Sequence, residues 1–267
     1  MLTIIFSLLI GIGVYYGSTL AWGWIWGIFC ALFVMILFHV LIGWILRRKL
    51  GELNQKMQQV MIDGQEKLKK KAAMMQRRPG MTPKLMQEML FKDQAVLLHQ
   101  ALELTEGFAP YYKWNYLLKK QTSTMKMTLY YQLKEFDKVD AMLKDCVFLD
   151  PMSIAMRFAR MYRKGAKVEE MDRFYKSRAR RLKGDDSAIV YATYAWILVK
   201  LGNIDRAIAI LNDARKKTDA PVIVENLERL LNGKVKHFSN AMLGDAWYSL
   251  FLEEPKIRPQ RQERMMY

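Results

Sequence analysis

Side chains that could carry out catalysis are few and scattered in this sequence. No glycine-rich phosphate-binding loop is present, and no serine or cysteine lies in a nucleophile elbow. Asp185-Asp186 is interpreted as the cap of a following helix rather than as a pair of catalytic acids. The residues that could bind a metal are far apart: His39, His99, His237, Cys30 and Cys146. The sequence therefore predicts no enzymatic activity, no cofactor, no metal site and no small-molecule substrate.

Cationic side chains supply the chemistry that this sequence does offer. The 42 Lys and Arg residues exceed the 26 Asp and Glu residues, giving a formal net charge of +16, which favours anionic partners. Two groups are candidates for an anionic surface: Arg47, Arg48, Lys49, Lys69, Lys70 and Lys71, and further along the chain Arg173, Arg178, Arg180 and Arg181. Anionic lipid headgroups would suit the first group, and phosphates of lipid or RNA the second. No recognised nucleic-acid motif accompanies them, which disfavours sequence-specific RNA binding.

The first 46 residues of the chain, Met1 to Leu46, contain no Lys, Arg, Asp or Glu, and the first cationic group follows them directly. Since a helix crosses a bilayer with about 20 apolar residues, the run is long enough for a hairpin of two transmembrane helices. We predict the turn at Tyr16-Gly17-Ser18-Thr19, where small and hydroxyl residues interrupt the run. A re-entrant first arm and a cleaved signal peptide remain alternatives, because the first arm would span only about 24 Å.

The orientation follows from Arg47, Arg48 and Lys49, which come directly after the last apolar turn. Such clusters stay on the cytoplasmic side, so the C-terminal domain is predicted to be cytoplasmic. The short N-terminal anchor suggests a bacterial inner membrane. His39, the one histidine of the apolar run, is predicted to lie near the cytoplasmic headgroups without a proton-transfer or haem role.

Residues 47–81 are predicted to form a basic helix that continues from the membrane and ends at Arg77-Arg78-Pro79-Gly80. Two interpretations remain open. The helix could be held on an anionic leaflet, with about 1 kcal/mol per cation, or it could be a solvated helix that only fixes the topology. A dimeric coiled coil is disfavoured because the apolar seam is lost at Gly64 and Lys67.

Paired amphipathic helices are predicted beyond Thr82-Pro83. The clearest pair runs from Ala188 to Pro221 and has a tight turn at Gly202-Asn203. An earlier pair ends at Leu149-Asp150-Pro151, and residues 152–183 follow the pattern less closely. Asp185 lies 34 residues after Pro151, and Asp219 lies 34 residues after Asp185. This spacing indicates a helical repeat.

The pattern resembles the tetratricopeptide repeat, with Ala195 and Ala207 at the small positions where the paired helices touch. The resemblance covers roughly residues 82–232. It implies a concave groove, lined by the first helix of each repeat, that binds a peptide or helix of a partner protein. Carried over residue by residue, the groove positions are Thr124, Thr128, Tyr131, Arg160, Arg163, Ile189, Ala192, Trp196 and Lys200. These cations and aromatic rings suit an acidic peptide, whereas the alternative for Tyr131 and Trp196 is packing between repeats.

The predicted fold is all-α: a transmembrane helical hairpin (1–46), a basic juxtamembrane helix (47–81), a tetratricopeptide-like α-solenoid of paired antiparallel helices (82–236), and a capping helix with a basic tail (237–267). Ser239 is predicted to begin that capping helix. The predicted function is a membrane-anchored cytoplasmic adaptor that binds a partner protein in its groove. Two alternatives are a constitutive subunit of a larger membrane complex and a tether for ribosomes, RNA or anionic lipid.

Overall fold

The computed structural model describes residues 2–78 and 80–255, and every regular element within these ranges is helical. The predicted all-α class is therefore confirmed. The chain divides into two compact units, Met1–Val147 (unit 1) and Phe148–Tyr267 (unit 2). This division differs from the predicted 82–236 domain, because the basic helix after the apolar run packs against the helices that follow it.

Two long apolar helices open unit 1: α1 (Leu2–Trp22) and α2 (Trp24–Gln76). The predicted turn at residues 16–19 is wrong, because the chain reverses at Gly23, which has a φ of 86°. The Ser18 and Thr19 hydroxyls remain inside α1 and donate to the carbonyls of residues 14 and 15, four positions earlier. Such hydrogen bonds let hydroxyl side chains sit within a helix instead of ending it.

The contact between α1 and α2 is made by small residues. Ser7, Gly11, Gly27 and Ala31 are among the few buried positions of the two helices. A side chain at Gly11 would press on Met35, with an added Cβ 2.6 Å from the sulfur. Small residues let helix backbones approach closely, while the large apolar side chains around them stay exposed, Leu20 to 91%. By length and composition alone, both helices are apolar enough to cross a membrane.

The second half of α2 packs against α3 (Pro83–Glu106), which runs antiparallel to it. Gly64 of α2 lies against Leu97, and Lys71 forms an ion pair with Asp93 at 2.5 Å. The predicted continuation of the juxtamembrane helix, with its end at Arg77, is confirmed.

Two further helices complete unit 1: α4 (Tyr116–Gln132) and α5 (Phe136–Met142). A small apolar core forms between α3 and α4 from Leu98, Ala101, Leu102 and Leu129, with Met61 of α2 packed against it. The loop between α3 and α4, residues 107–115, contains one 3₁₀ turn, Ala109–Tyr111.

Unit 2 contains α6 (Pro151–Arg163), α7 (Val168–Phe174), α8 (Ala188–Lys200), α9 (Ile204–Arg215), α10 (Pro221–Leu231) and α11 (Asp245–Tyr248). A π-helical segment, Tyr175–Ala179, continues α7. The helix α8 is central, since every residue from Ala188 to Leu198 is buried. A helix that is buried on all sides is apolar all round.

A buried carboxylate joins three helices of unit 2. Asp172 of α7 accepts hydrogen bonds from the Tyr194 hydroxyl of α8 and from the Arg206 guanidinium of α9, whose Nε lies 2.9 Å away. Burial and the neighbouring carboxylate raise the pKa of Tyr194. A buried charge needs such partners, so these side chains fix how α7, α8 and α9 pack.

The predicted helix pair of residues 188–221 is confirmed as α8 and α9, with Gly202 at a φ of 77° in the turn. Pro151 and Pro221 each begin a helix. The capping helix predicted from Ser239 is wrong, because the chain forms a 3₁₀ turn, Ala241–Leu243, and then only the one-turn α11. Gly244, at a φ of 56°, separates them. The basic tail predicted at the C-terminus lies outside the described residues from position 256 onward.

Two glycines of α2 provide a matched test of the α2–α3 packing. We expect Gly64→Ala to destabilise the protein by about 1–3 kcal/mol, because the added methyl would collide with buried Leu97. Gly51→Ala meets no atom within 4 Å and should instead stabilise the helix by up to about 1 kcal/mol. Thermal unfolding of the full chain in detergent micelles, followed by circular dichroism, measures both. Equal stabilisation by the two substitutions would contradict the packing.

Candidate functional site

Three of the predicted groove residues lie in α4 and are packing residues in unit 1. Tyr131 is buried and makes an edge contact with Phe136, with ring centroids 5.4 Å apart. The Thr124 hydroxyl is buried beside Val147, whose backbone N–H donates to it at 2.9 Å. Thr128 is half-buried, and its hydroxyl donates to the Thr124 carbonyl at 3.1 Å. Tyr131 and Thr124 pack α4 against the segment that follows it, whereas the Thr128 hydrogen bond lies within α4.

The groove residues predicted in α8 are covered by the C-terminal part of unit 2. Ile189, Ala192 and Trp196 are all buried. The Ala192 carbonyl accepts a hydrogen bond from the Asn240 side-chain amide at 2.9 Å. This C-terminal part of unit 2, here called the cover, is therefore hydrogen-bonded to α8 and shields the surface of α8 from water.

A carboxylate clamp lies at the end of this cover. The Glu253 carboxylate accepts hydrogen bonds from the indole N–H of Trp196 at 2.9 Å and from that of Trp247 at 3.0 Å. The Lys200 ammonium lies 4.0 Å from the same carboxylate and 5.0 Å from the centroid of the Trp196 ring. Two aromatic donors and one cation thus surround a single acidic side chain.

The predicted groove arginines lie near the same segment. Arg163 of α6 donates to the Phe251 carbonyl at 2.7 Å, and Arg160 is half-buried one turn earlier on that helix. Arg163, Trp196 and Lys200, which the sequence placed together in a groove for an acidic peptide, therefore all contact residues 251–253 of their own chain. Trp196 is buried, so an external peptide could reach it only by displacing this segment, whereas Arg163 and Lys200 are exposed.

A second candidate site is an exposed row of cations, here called the arginine surface: Arg173, Lys176, Arg178, Arg180, Arg181 and Lys183. No acidic residue occurs between positions 173 and 183. Within residues 2–78 and 80–255, the four arginines of this surface form no ion pair. Their guanidinium groups are therefore available to an anionic ligand.

The backbone beneath the arginine surface is held from the core side. The Tyr191 hydroxyl of α8 lies 2.7 Å from the Leu182 carbonyl and 3.2 Å from the Ala179 carbonyl. The Lys217 ammonium donates to the Arg180 carbonyl at 2.7 Å. The Arg180 and Leu182 carbonyls follow the π-helical segment and are satisfied by these side chains, while the Ala179 carbonyl also accepts from the Leu182 backbone N–H at 3.0 Å. The segment is fixed in place while its cations remain in solvent.

At neutral pH Asp213 is ionised and Tyr191 is protonated. Burial opposes the charge of Asp213, but hydrogen bonds from Lys217 and Tyr175 outweigh it and lower the pKa of this carboxyl. Burial, with the nearby Asp213 charge, raises the pKa of Tyr191 to about 12. Tyr191 therefore remains a hydrogen-bond donor to the arginine segment, and Lys217 remains paired with an ionised Asp213 at 2.5 Å.

The first predicted cationic group does not form one surface. Because α2 is one continuous helix, Lys70 lies about 35 Å along its axis from Arg47. Arg48 and Lys49 share Glu52, at 3.6 and 3.4 Å. Lys69 is exposed, whereas Lys70 pairs with Glu66 at 3.7 Å and Lys71 with Asp93 at 2.5 Å. Only Arg47, Arg48 and Lys49 adjoin the apolar part of the helix.

Sequence reasoning missed four residues of these sites: Trp247, Glu253, Tyr191 and Lys217. For the clamp a signal was present, because Leu252-Glu253-Glu254 is itself an acidic segment next to aromatic residues. Tyr191 and Lys217 could not be identified from the sequence, since their contacts to the arginine segment are made to backbone carbonyls.

Comparison with known proteins finds no matching family model, no matching curated protein and no matching solved structure. The tetratricopeptide resemblance therefore remains a prediction. Among the described residues, no group of three or more His, Cys, Asp or Glu side chains is placed to hold a metal ion.

The clamp makes a specific prediction about stability. Glu253→Ala should destabilise unit 2 by about 1–3 kcal/mol, because two buried indole N–H groups would lose their acceptor. Glu254→Ala, at the exposed neighbouring position, should have little effect. Urea unfolding followed by tryptophan fluorescence is suitable because both indoles report on the clamp. Identical unfolding midpoints for the two variants would show that the clamp contributes nothing.

Proposed function

We propose that this protein is a membrane-anchored adaptor: α1 and α2 span a bacterial inner membrane, and the cytoplasmic unit 2 binds an acidic partner protein through the arginine surface. The observation that carries the proposal is the arginine segment, which is held by Tyr191 and Lys217 while its arginines stay exposed and unpaired within the described residues.

Three features support membrane insertion. The apolar part of α2, Trp24 to Leu46, has 23 residues and is about 34 Å long, close to the thickness of a hydrocarbon core. Its outer side chains are exposed and apolar. Trp24 and Trp44 lie about 30 Å apart along the helix, as expected for rings at the two headgroup boundaries. The cluster at Arg47 favours the cytoplasmic side for everything that follows.

We also propose that the helix pairs α4–α5, α6–α7 and α8–α9 are tetratricopeptide-like repeats. Support comes from the α8–α9 pair, in which Ala195 and Ala207 are both fully buried. Residues 238–255 cover α8, so the adaptor would bind its partner on an outer surface.

An acidic protein is the partner that the arginine surface suits best. Guanidinium groups bind carboxylates through two parallel hydrogen bonds. Binding to single-stranded RNA usually adds exposed aromatic rings for base stacking, but Phe174 is half-buried and Tyr175 is buried. The surface therefore offers charge without stacking partners.

The proposed topology predicts a labelling pattern. In a chain with Cys30 and Cys146 replaced by Ala, Trp22→Cys should react with a membrane-impermeant maleimide in intact cells. Gly51→Cys should react only after permeabilisation, because it would lie five residues beyond the apolar run on the cytoplasmic side. The protein should also resist extraction by alkaline carbonate. Extraction by carbonate, or the reverse labelling pattern, would refute the topology.

The proposed partner surface can be tested by site-specific photocrosslinking in intact membranes. A photoreactive residue at Ser177, exposed within the arginine surface, should give an RNase-resistant protein adduct, and one at Glu228, exposed on α10, should not. The substitutions Arg178→Glu, Arg180→Glu and Arg181→Glu together should reduce the Ser177 adduct at least tenfold.

The matched control reverses three exposed charges at the end of α2 and directly after it: Lys69→Glu, Lys70→Glu and Arg77→Glu. This variant should leave the Ser177 adduct unchanged. If RNase removes the adduct, the protein is an RNA tether and the proposal of a protein adaptor is wrong. An adduct that survives the triple arginine substitution would show that charge at this surface does not bind the partner.

A further inference from the structure

A crevice of about 320 Å³ lies in unit 1, where the apolar part of α2 ends beside the loop 107–115. Its apolar wall is formed by Ile4, Ile42 and Leu46, and its polar wall includes His39 and Asn115. The volume is at the lower end of the range of small-ligand sites. A ligand for this crevice must therefore be part apolar and part polar.

The walls of the crevice are fastened to one another. The backbone N–H of Leu2 donates to the Lys113 carbonyl at 3.0 Å, and the Thr3 hydroxyl donates to the Trp114 carbonyl at 2.9 Å. The Phe6 ring stacks on Trp114, with centroids 6.2 Å apart and planes 20° from parallel. The first turn of α1 thus holds the loop in place.

The depth of the crevice matches a membrane boundary. Its α2 residues, from His39 to Leu46, lie about 24 to 35 Å from Gly23 along the helix, and a hydrocarbon core is about 30 Å thick. In an inserted hairpin, the crevice would therefore cross from the acyl chains into the headgroups. Trp114 would join Trp44 in the aromatic layer at that boundary.

The residues that line the crevice include no acidic side chain. No acidic residue occurs in positions 1–51 or 107–134, the two stretches that form it. Arg47 directly follows Leu46, is exposed, and forms no ion pair with any residue in the ranges 2–78 and 80–255. Lys113, next to Trp114, is also exposed. An anionic group at the crevice would be attracted by Arg47.

We propose that this crevice binds one anionic glycerophospholipid, with its phosphate beside Arg47 and its first acyl methylenes against Ile4, Ile42 and Leu46. The proposal rests on the membrane insertion proposed above. His39 adds a polar contact: its Nδ1 donates to the Met35 carbonyl at 3.0 Å, so Nε2 is the nitrogen available to the ligand. A lipid bound here would contact both the hairpin and the loop, and so hold the loop 107–115 at the bilayer surface.

Native mass spectrometry of the full chain in detergent, with equal concentrations of dioleoyl phosphatidylglycerol and dioleoyl phosphatidylcholine, tests this site. We expect one retained phosphatidylglycerol, preferred several-fold over phosphatidylcholine. Gly43→Leu should lower that retention at least fivefold, because an added side chain at Gly43 has open space and would fill the crevice. Arg47→Gln should remove the preference for phosphatidylglycerol while leaving some lipid bound.

Gly13→Leu is the matched control, since Gly13 also has no atom within 4 Å of an added Cβ and lies outside the crevice. It should retain phosphatidylglycerol as the unchanged chain does. Equal retention by the Gly43→Leu and Gly13→Leu variants, or equal binding of the two lipids by the unchanged chain, would overturn the proposal. The proposal would also be overturned if the Gly43→Leu variant lost a co-purifying membrane protein instead of a lipid.

Carbonate extraction of each variant separates this proposal from membrane insertion itself. A variant that stays in the membrane and loses phosphatidylglycerol supports the site. Carbonate release of the unchanged chain would instead refute the insertion on which the site depends.

Discussion

A helix satisfies its own backbone hydrogen bonds at every internal residue, so a chain can pass from an apolar environment into water without breaking regular structure. The helix α2 does this over Trp24–Gln76. Its first half packs on α1 through small residues, and its second half packs on α3 around Gly64. The extension after Leu46 is about 45 Å long and α3 about 36 Å, so α3 returns the chain to the level of Leu53, which lies against Gly107. That return explains why the loop 107–115 meets the first turn of α1.

Unit 2 is organised by buried polar groups that must be satisfied. Asp172 is bound by a tyrosine and an arginine, and Glu253 by two indole N–H groups. Burying the Asp172 carboxylate without such donors would cost several kcal/mol, whereas the Glu253 side chain is 35% exposed and serves as the acceptor for two buried indoles. Trp247 is fully buried beneath Glu253, so the segment that carries it is part of the core of unit 2. This is why the proposed partner site lies on the outer arginine surface instead of on α8.

The spacing of apolar residues, together with the Gly or Pro residues at helix ends, predicted several helices correctly. The pair α8–α9 and the end of α2 at Arg77 follow from periodicity and from Gly or Pro punctuation. The hairpin turn could not be located, because several glycines interrupt the apolar run and the Ser18 and Thr19 hydroxyls bond back into their own helix. The cover on α8 could not be predicted either, since Trp196 and Glu253 are 57 residues apart. Spacing within a helix indicates which residues share a face, but not which distant segment packs on it.

The net charge of +16 does not act as a single field, because each group of cations has its own surroundings. Charges more than about 8 Å apart in water are largely screened at physiological ionic strength, whereas Arg47 and Lys70 are about 35 Å apart along α2. Lys71 is also neutralised locally by Asp93. The cations at Arg47 adjoin apolar side chains and an aromatic loop, which suits an amphipathic ligand. Those of the arginine surface have no such apolar neighbour exposed between positions 173 and 183, which suits a ligand recognised by charge and hydrogen bonds. Two cationic sites on one chain can thus select chemically different partners.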